Sequence, residues 1–411
     1  MCRMKLRFFR RKNVYVPTTA GWLLLLILLL IISWGVLQSI YPFLSKPRKA
    51  VSDILVVEGW LPDNGLRDAI DYYRAHGYKK MIITGIPITQ WTYTSPHSNM
   101  ADASAETMRR MLFRDTIYTV SIPSNIYRDR TYATAVALKM RFEEWNLPQD
   151  QSFDLYSMGA HARRSWNMFR KAFPDTHIGL LVATDLSFEP ETWYKSSRGF
   201  RTVFSEWISY WYTTFAFFPD ESAFRAKIIA GRYSDSIIEK RLKKDNNFAN
   251  PEKTPLNPDQ LPTFEGLHYF APDIAFRFKA RFETDTTEAP FRMPTTTSRQ
   301  PLYRKYGKIS FSHGDTALVL TAYQNLDYLA ANPGYNKLFV PFKDLTNGHA
   351  TYGGGRYLDV EIPLSDSLTL DFNDAYNPYC VYNEKWSCPI PPEENHLKVH
   401  IRAGELNFPH K

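Results

Sequence analysis

Several residues able to do acid, base or anion-binding chemistry fall where short apolar runs of this 411-residue chain end. Glu58 and Trp60 close the run ILVVEGW, and Pro62-Asp63 follow. Thr84 closes MIITG, and Arg128, Asp129, Arg130 and Thr131 precede an alanine-rich helical pattern. Ser157, Gly159, His161, Arg163 and Arg164 open another. A carboxylate and an imidazole at one rim, here Glu58 and His161, suit general acid and base roles. Arg128, Arg130 and Arg164 supply bidentate donors. A helix start adds unpaired N–H groups and the positive end of the helix dipole, so Thr131 and Ser157 beside them fit a bound anion such as a phosphate group. Each residue alone has a plainer reading. Asp129 or Thr131 can cap a helix, Arg163 can be solvated, and Glu58 can pair with an arginine. Only convergence of Glu58, His161 and Arg164 in one cleft would make a site.

Convergence needs a scaffold, and residues 50–244 have the pattern of one. SDILVVEG (52–59), KKMIITG (79–85), TIYTVSI (116–122), SFDLYSM (152–158) and HIGLLVA (177–183) read as strands. Helical patterns at 66–77, 104–115, 130–146 and 162–173 separate them. This alternation predicts a Rossmann-like α/β domain, a parallel sheet with helices on both faces. Such sheets bind ligands beyond the carboxyl ends of their strands, at the switch point, where these polar residues fall. Two more helical runs, near 200–218 and 221–244, complete the domain. The first contains WISYWYTTFAFF (207–218), which suits either a core or docking helix or a helix against a bilayer.

Residues 20–42 are expected to be a transmembrane signal-anchor helix. They begin AGWLLLLILLLIISWGVLQSIY, without charge, and about 22 helical residues rise roughly 33 Å, enough for a bilayer core. Residues 1–19 form a basic tail with Arg3, Lys5, Arg7, Arg10, Arg11 and Lys12. The positive-inside rule places that tail in the cytoplasm and both folded domains outside the cell (inner) membrane. A cleaved signal peptide fits less well, because the apolar run is long and no A-x-A-like site follows. The net charge of +8 resides largely in the tail, which suits anionic lipid as a partner. No basic stripe or reader motif points to nucleic acid.

After a Pro/Asn-rich linker at 245–262 the pattern changes to short strands, predicting an all-β sandwich or barrel over residues 263–411. Strands are read at 306–324 (two, joined by Gly314-Asp315), 337–344, 356–363, 367–373 and 397–404. The chain has three cysteines, Cys2, Cys380 and Cys388. Cys380 and Cys388 could form a disulfide, stay as thiols or bind metal. Their C-x7-C spacing and isolated histidines give no recognised metal motif, so no metal site is assigned. No Walker loop, G-x-S-x-G elbow, H-E-x-x-H or complete G-x-G-x-x-G occurs, and the cofactor is left unknown.

Residues 50–220 resemble the YdcF/SanA/ElyC family (domain of unknown function 218). The resemblance rests on ILVVEGWLPD, the ITG strand end, YRDRTYATAVALK and SMGAHARRSWNMFRKAF, with Thr131, Ala135, Ser157, His161 and Arg164 on the family pattern. Glu58-Gly59-Trp60 replaces that family's Gly-rich first loop, so a different ligand is expected. The resemblance implies an envelope protein tethered by one helix and concerned with peptidoglycan homeostasis. Residues 263–405 resemble the family called domain of unknown function 1684, through LFVPFKDLTNGHATYGGGRYLDV and DFNDAYNPYCVYNEKWSCPIPPEEN. The density of Asn, Tyr and Gly there can be architecture. It can also be a β-domain pocket for a glycan or small polar ligand, with Asp344, Arg356, Asn373 and Asn377 as bonding groups and Tyr352 and Tyr376 as stacking faces. Two functions are expected. In one, a membrane-anchored protein binds, and as an enzyme would act on, a phosphorylated or lipid-linked envelope precursor. In the other, a non-catalytic envelope scaffold keeps only the α/β fold.

Overall fold

The computed structural model describes residues 17–48, 52–88 and 96–408. Cys2 and the basic residues Arg3 to Lys12 lie outside the described residues. The chain divides into two compact units, one up to Ile228 and one from Ile229 onward.

The first unit begins with helix α1 (Thr19–Leu44), which is long and apolar enough to cross a membrane. Its side chains are exposed from Trp22 to Val36, whereas Ile40, Tyr41 and Leu44 pack against Phe188, Trp193 and Val203. There follow β1 (Ile54–Glu58), α2 (Asp63–His76), β2 (Lys80–Gly85), α3 (Met100–Arg110) and β3 (Ile117–Ser121). Next come α4 (Arg130–Glu144), β4 (Phe153–Met158), α5 (Ala162–Ala172), β5 (Ile178–Ala183), α6 (Ser197–Phe215) and α7 (Glu221–Phe248), which runs across the boundary of the units.

The five strands form one parallel sheet in the order β3-β2-β1-β4-β5. Both faces are covered, which is why the strands are apolar runs rather than alternating ones. Val56, Ile82, Leu155 and Leu180 face Ala133, Val136, Ala137 and Phe169 of α4 and α5. Leu55, Val57, Met81 and Ile83 face Leu66, Ile70, Ala101 and Met108 of α2 and α3. Chain order reverses between β1 and β4, so the switch point lies beyond Glu58 and Ser157. Gly85 allows this end of the sheet to close, since a Cβ there would lie 2.2 Å from the Ala101 nitrogen.

The second unit contains β6 (Arg277–Thr284), β7 (Phe291–Arg292), β8 (Leu302–His313), β9 (Thr316–Asn325), β10 (Lys337–Phe342), β11 (Arg356–Glu361) and β12 (Ser367–Asp371). They form one antiparallel sheet in the order β11-β10-β9-β8-β6-β12, with β7 beside β8. The sheet is a half-barrel, so the expectation of a two-sheet sandwich or closed barrel is corrected: among the described residues β11 and β12 do not pair to close it. The open side is filled by irregular chain. Leu397, Ile401 and Ala403 enter the core beside Leu320, Leu338, Val340 and Phe372.

That irregular segment also corrects the strand expected at 397–404. Its alternation correctly marks the inward residues, but no strand ladder accompanies it. Leu397 donates to Lys343 O at 2.8 Å, and Leu345 donates to Val399 O at 3.0 Å. Further along, the fully buried Arg356 guanidinium donates to Ile401 O at 2.9 Å and to Ala403 O, while pairing with Asp344 at 2.7 Å. A side chain thus does the work of a neighbouring strand. Leaving Asp344 buried and unpaired costs about 3–5 kcal/mol. Arg356→Met is therefore expected to destabilise the second unit by that amount in calorimetric unfolding of the full chain, and Asp344→Leu/Arg356→Met together to lose much less. Equal losses for the single and double variants would show that the ion pair is not the tie.

Candidate functional site

At the switch point the Glu58 carboxylate, 5% exposed, closes the end of β1. It accepts from Ser157 Oγ of β4 and, at 2.8 Å, from Ser165 Oγ of α5. One carboxylate therefore joins two strand ends to the helix that follows the second. His161 sits in the turn between β4 and α5, with Nε2 3.9 Å from Glu58 Oε1. Trp60 meets its ring edge-on, with centroids 4.8 Å apart, and restricts its rotation.

Opposite stands Glu206 of α6. His161 Nδ1 lies 2.8 Å from Glu206 Oε1, and Arg164 donates through Nε to Glu206 Oε2 at 2.6 Å. Burial works to raise the Glu206 carboxyl, but bonds and charge from His161, together with those from Arg164, outweigh it and hold the group down at about 2. His161 Nδ1 also lies 2.9 Å from Arg164 Nη2, so this edge of the ring is held between the carboxylate and the guanidinium, while Nε2 lies on the Glu58 side. Arg164 also reaches Thr131 Oγ1 at 3.5 Å, linking α5 to the start of α4.

The start of α4 is open. Asp129, at the N-cap position, has φ +53° and makes no side-chain cap bond. The first N–H groups of α4 are thus available to an anion. The guanidinium of Arg130 is exposed and has no hydrogen-bond or ion-pair partner among the described residues. These groups line a cleft of about 560 Å³ with Glu58, Trp60, Thr84, Asp129, Thr131, His161 and Arg164. Ser209, Tyr212 and Thr213 of α6 form the facing wall.

Seven of the ten residues expected at this site line that cleft: Glu58, Trp60, Thr84, Arg130, Thr131, His161 and Arg164. Ser157 is fully buried and turned to Glu58. Asp63 begins α2 and Arg128 is exposed, and neither lines the cleft. Glu206, Ser165 and Tyr212 are not anticipated by the sequence pattern. Glu206 is the single acid in residues 197–218, and a lone carboxylate on an aromatic helix was the available signal. Among the described residues no group of three or more His, Cys, Asp or Glu could hold a metal ion.

The expected β-domain pocket residues separate. Asp344 and Arg356 are buried against each other. Asn373 binds the backbone of Asp273 through both its oxygen and its nitrogen, at 2.9 and 2.8 Å. Asn377 donates to Leu406 O at 2.7 Å. Tyr352 packs on the cluster of Phe248, Leu256 and Tyr382. Of the six, Tyr376 lines a second cleft of about 560 Å³, walled by Tyr303, Tyr328, Tyr335, Phe339 and Trp386. Its hydroxyl donates to Asp359 at 2.8 Å. Cys388 lies at the wall of this cleft. Cys380 and Cys388 are free thiols in contact, and the Cys380 N–H donates to Cys388 Sγ at 3.2 Å. The hydrogen bond from Cys388 draws the Cys380 thiol down to about 7.

With the geometry established, residues 262–406 match the family described as "Protein of unknown function (DUF1684)", and the chain carries that domain there. The comparisons give no support to the YdcF-like resemblance of residues 50–220. No curated protein matches the chain. Among solved structures, the chain is similar to an uncharacterized protein of Haloarcula marismortui determined by NMR in solution. The two are 34% identical over 43% of this chain and 94% of that one, with a TM-score of 0.35.

Glu206 makes a pH prediction. Its folded pKa, about 2, lies below the usual value of 4.5, so its stabilising contribution is complete above about 4.5 and fades as pH falls towards 2. Glu206→Gln should lower stability by roughly 2 kcal/mol at pH 7. That gap should narrow between pH 4.5 and 2 in thermal unfolding, and a gap constant over this range would assign the loss to packing.

Proposed function

We propose that this is a membrane-anchored envelope protein whose α/β cleft binds a phosphorylated or lipid-linked envelope precursor of the peptidoglycan kind. The observation that carries the reading is the open start of α4, with the unpartnered Arg130 beside it and Arg164 across the cleft. Two guanidinium groups and free helix N–H groups suit a phosphate group. The oriented imidazole of His161 equips the same cleft to act on what it binds. The apolar α1 adds weight to the membrane-anchored part of the reading. We assign the aromatic cleft around Tyr376 to the β unit's ligand or glycan.

A non-catalytic scaffold is the second reading, and one observation favours it. Both oxygens of Glu58 are taken by serine hydroxyls, so this carboxylate braces the fold rather than facing a substrate. Binding of a polyprenyl phosphate to the full-length chain in detergent tests the first reading. Arg130→Ala and Arg164→Ala should each weaken binding about 10–100-fold, the range for a lost charge-assisted bond. His161→Ala should leave affinity within a few-fold while abolishing any turnover. Unchanged binding in both arginine variants would remove the phosphate reading. Loss of the cellular phenotype without loss of abundance in His161→Ala would count against the scaffold.

The topology of this reading is one span with the C-terminus outside. A reporter fused after Lys411 and active only outside the cytoplasm should therefore work, and activity of a cytoplasm-only reporter would overturn the assignment. In that compartment Cys380 and Cys388 are proposed to close a disulfide. Thiol titration of unreduced, freshly extracted protein should then find Cys2 alone, and three thiols would make the pair a reduced core feature.

A further inference from the structure

We infer that the aromatic face of α6 lies in the bilayer interface and holds the mouth of the switch-point cleft at the level of lipid headgroups. The inference rests on the membrane-anchored reading and adds a docking surface and a route of access. Phe200, Phe204, Ile208, Trp211 and Phe215 follow one another at spacings of four, four, three and four, so they form a single stripe along the helix. All five are exposed, from 37% at Trp211 to 69% at Phe215. Their rings stack along the stripe, Phe200 on Phe204 at 5.5 Å and Trp211 on Phe215 at 5.4 Å. A contiguous exposed apolar stripe rich in aromatic rings marks a contact surface, and rings of this kind favour the membrane interface.

The occupant is fixed by α1. Phe43, near the end of α1, packs on Trp207, Tyr210 and Trp211, and Trp34 packs on Tyr194. The stripe is therefore continuous with the exposed apolar surface of the anchor itself. The part of α1 outside the body of the unit, Thr19 to Val36, is about 18 residues and roughly 27 Å, close to the roughly 30 Å of hydrocarbon. The next residues inward, Ile40, Tyr41 and Leu44, are covered by the body of the unit. Spanning the bilayer with α1 therefore brings that body, with α6 at its surface, to the interface. Lys195, Arg198 and Arg201 are exposed at the start of α6, where anionic headgroups would meet them. The other side of α6 delivers Glu206 to His161 and Ser209 and Thr213 to the cleft wall. A phosphate carried on a lipid would reach Arg130 without leaving the membrane surface.

The test uses the full chain in nanodiscs of phosphatidylcholine and phosphatidylglycerol, with photoreactive benzoylphenylalanine replacing one residue at a time. Adducts at Ile208 and Phe215 should be mainly lipid, as at Leu29 of α1. Ser205, exposed about 100° round α6 from the midline of the stripe, should give few. Labelling at Ile208 no higher than at Ser205, or adducts there to a second copy or another protein, would overturn the docking surface while Leu29 still reports lipid. No lipid adduct at Leu29 would instead overturn the anchor and the inference with it. As a second measurement, Ile208→Lys/Phe215→Lys should weaken capture of nanodisc-borne polyprenyl phosphate at least fivefold and leave binding of inorganic phosphate unchanged. Equal effects on both ligands would make the stripe a folding element.

Discussion

Glu58 is a carboxyl group held out of water between two strand ends, and its bonds determine where the rest of the cleft can lie. A buried carboxylate without partners is costly, so Ser157 and Ser165 must stay within reach of it. Those two serines flank the turn that carries His161 and the first turn of α5 that carries Arg164. Anchoring both ends of that segment fixes the height of the imidazole above the sheet and the direction from which α6 can approach. Glu206 then meets two cationic or donating groups already in position, and the ion pair forms with little reorganisation. Bracing the cleft floor and orienting its imidazole are thus separate jobs, divided between Glu58 and Glu206.

The second unit solves a similar problem at larger scale. An open antiparallel sheet leaves one side of its core uncovered, and the covering segment carries backbone groups that need partners. Arg356, Asn395 and Glu405 provide them from buried positions. Asn395 alone binds Thr321 from both sides and Pro341 O at 2.7 Å, and Glu405 accepts from Asn377 N and Tyr382 OH. Such residues tolerate little substitution, because a change of length or charge leaves several backbone groups unpaired together.

The parallel sheet was legible because each strand is a short apolar run ended by a polar or glycine residue, a pattern that few other folds produce. The rim residues were legible for the same reason, since strand ends locate them. Glu206 was not, because its neighbours on α6 describe an aromatic helix and nothing in that pattern says which face meets His161. Strand β6 was legible and not read: Phe278, Ala280 and Phe282 alternate with Arg277, Lys279, Arg281 and Glu283, the ordinary pattern of a strand with one face on the core. In 397–404 the alternation gives the inward face correctly and says nothing about the partner. Asp344, Arg356, Asn373 and Asn377 looked like pocket groups because a buried tie and a ligand contact use the same side chains. Burial separates them, and burial is a property of the fold.

The uncapped start of α4 would, on the proposed reading, tie anion occupancy to the soundness of the fold. Asp129 holds a left-handed backbone, a conformation that costs a non-glycine residue on the order of 1–3 kcal/mol, and its side chain returns no hydrogen bond to the helix. An anion seated there would supply the missing acceptor and act as the helix cap. The empty protein would then fray first at α4, the helix that packs on the centre of the sheet, and the loaded one would resist unfolding and proteolysis by a margin set by ligand concentration. A shortage of ligand would thereby lower the lifetime of the protein that handles it.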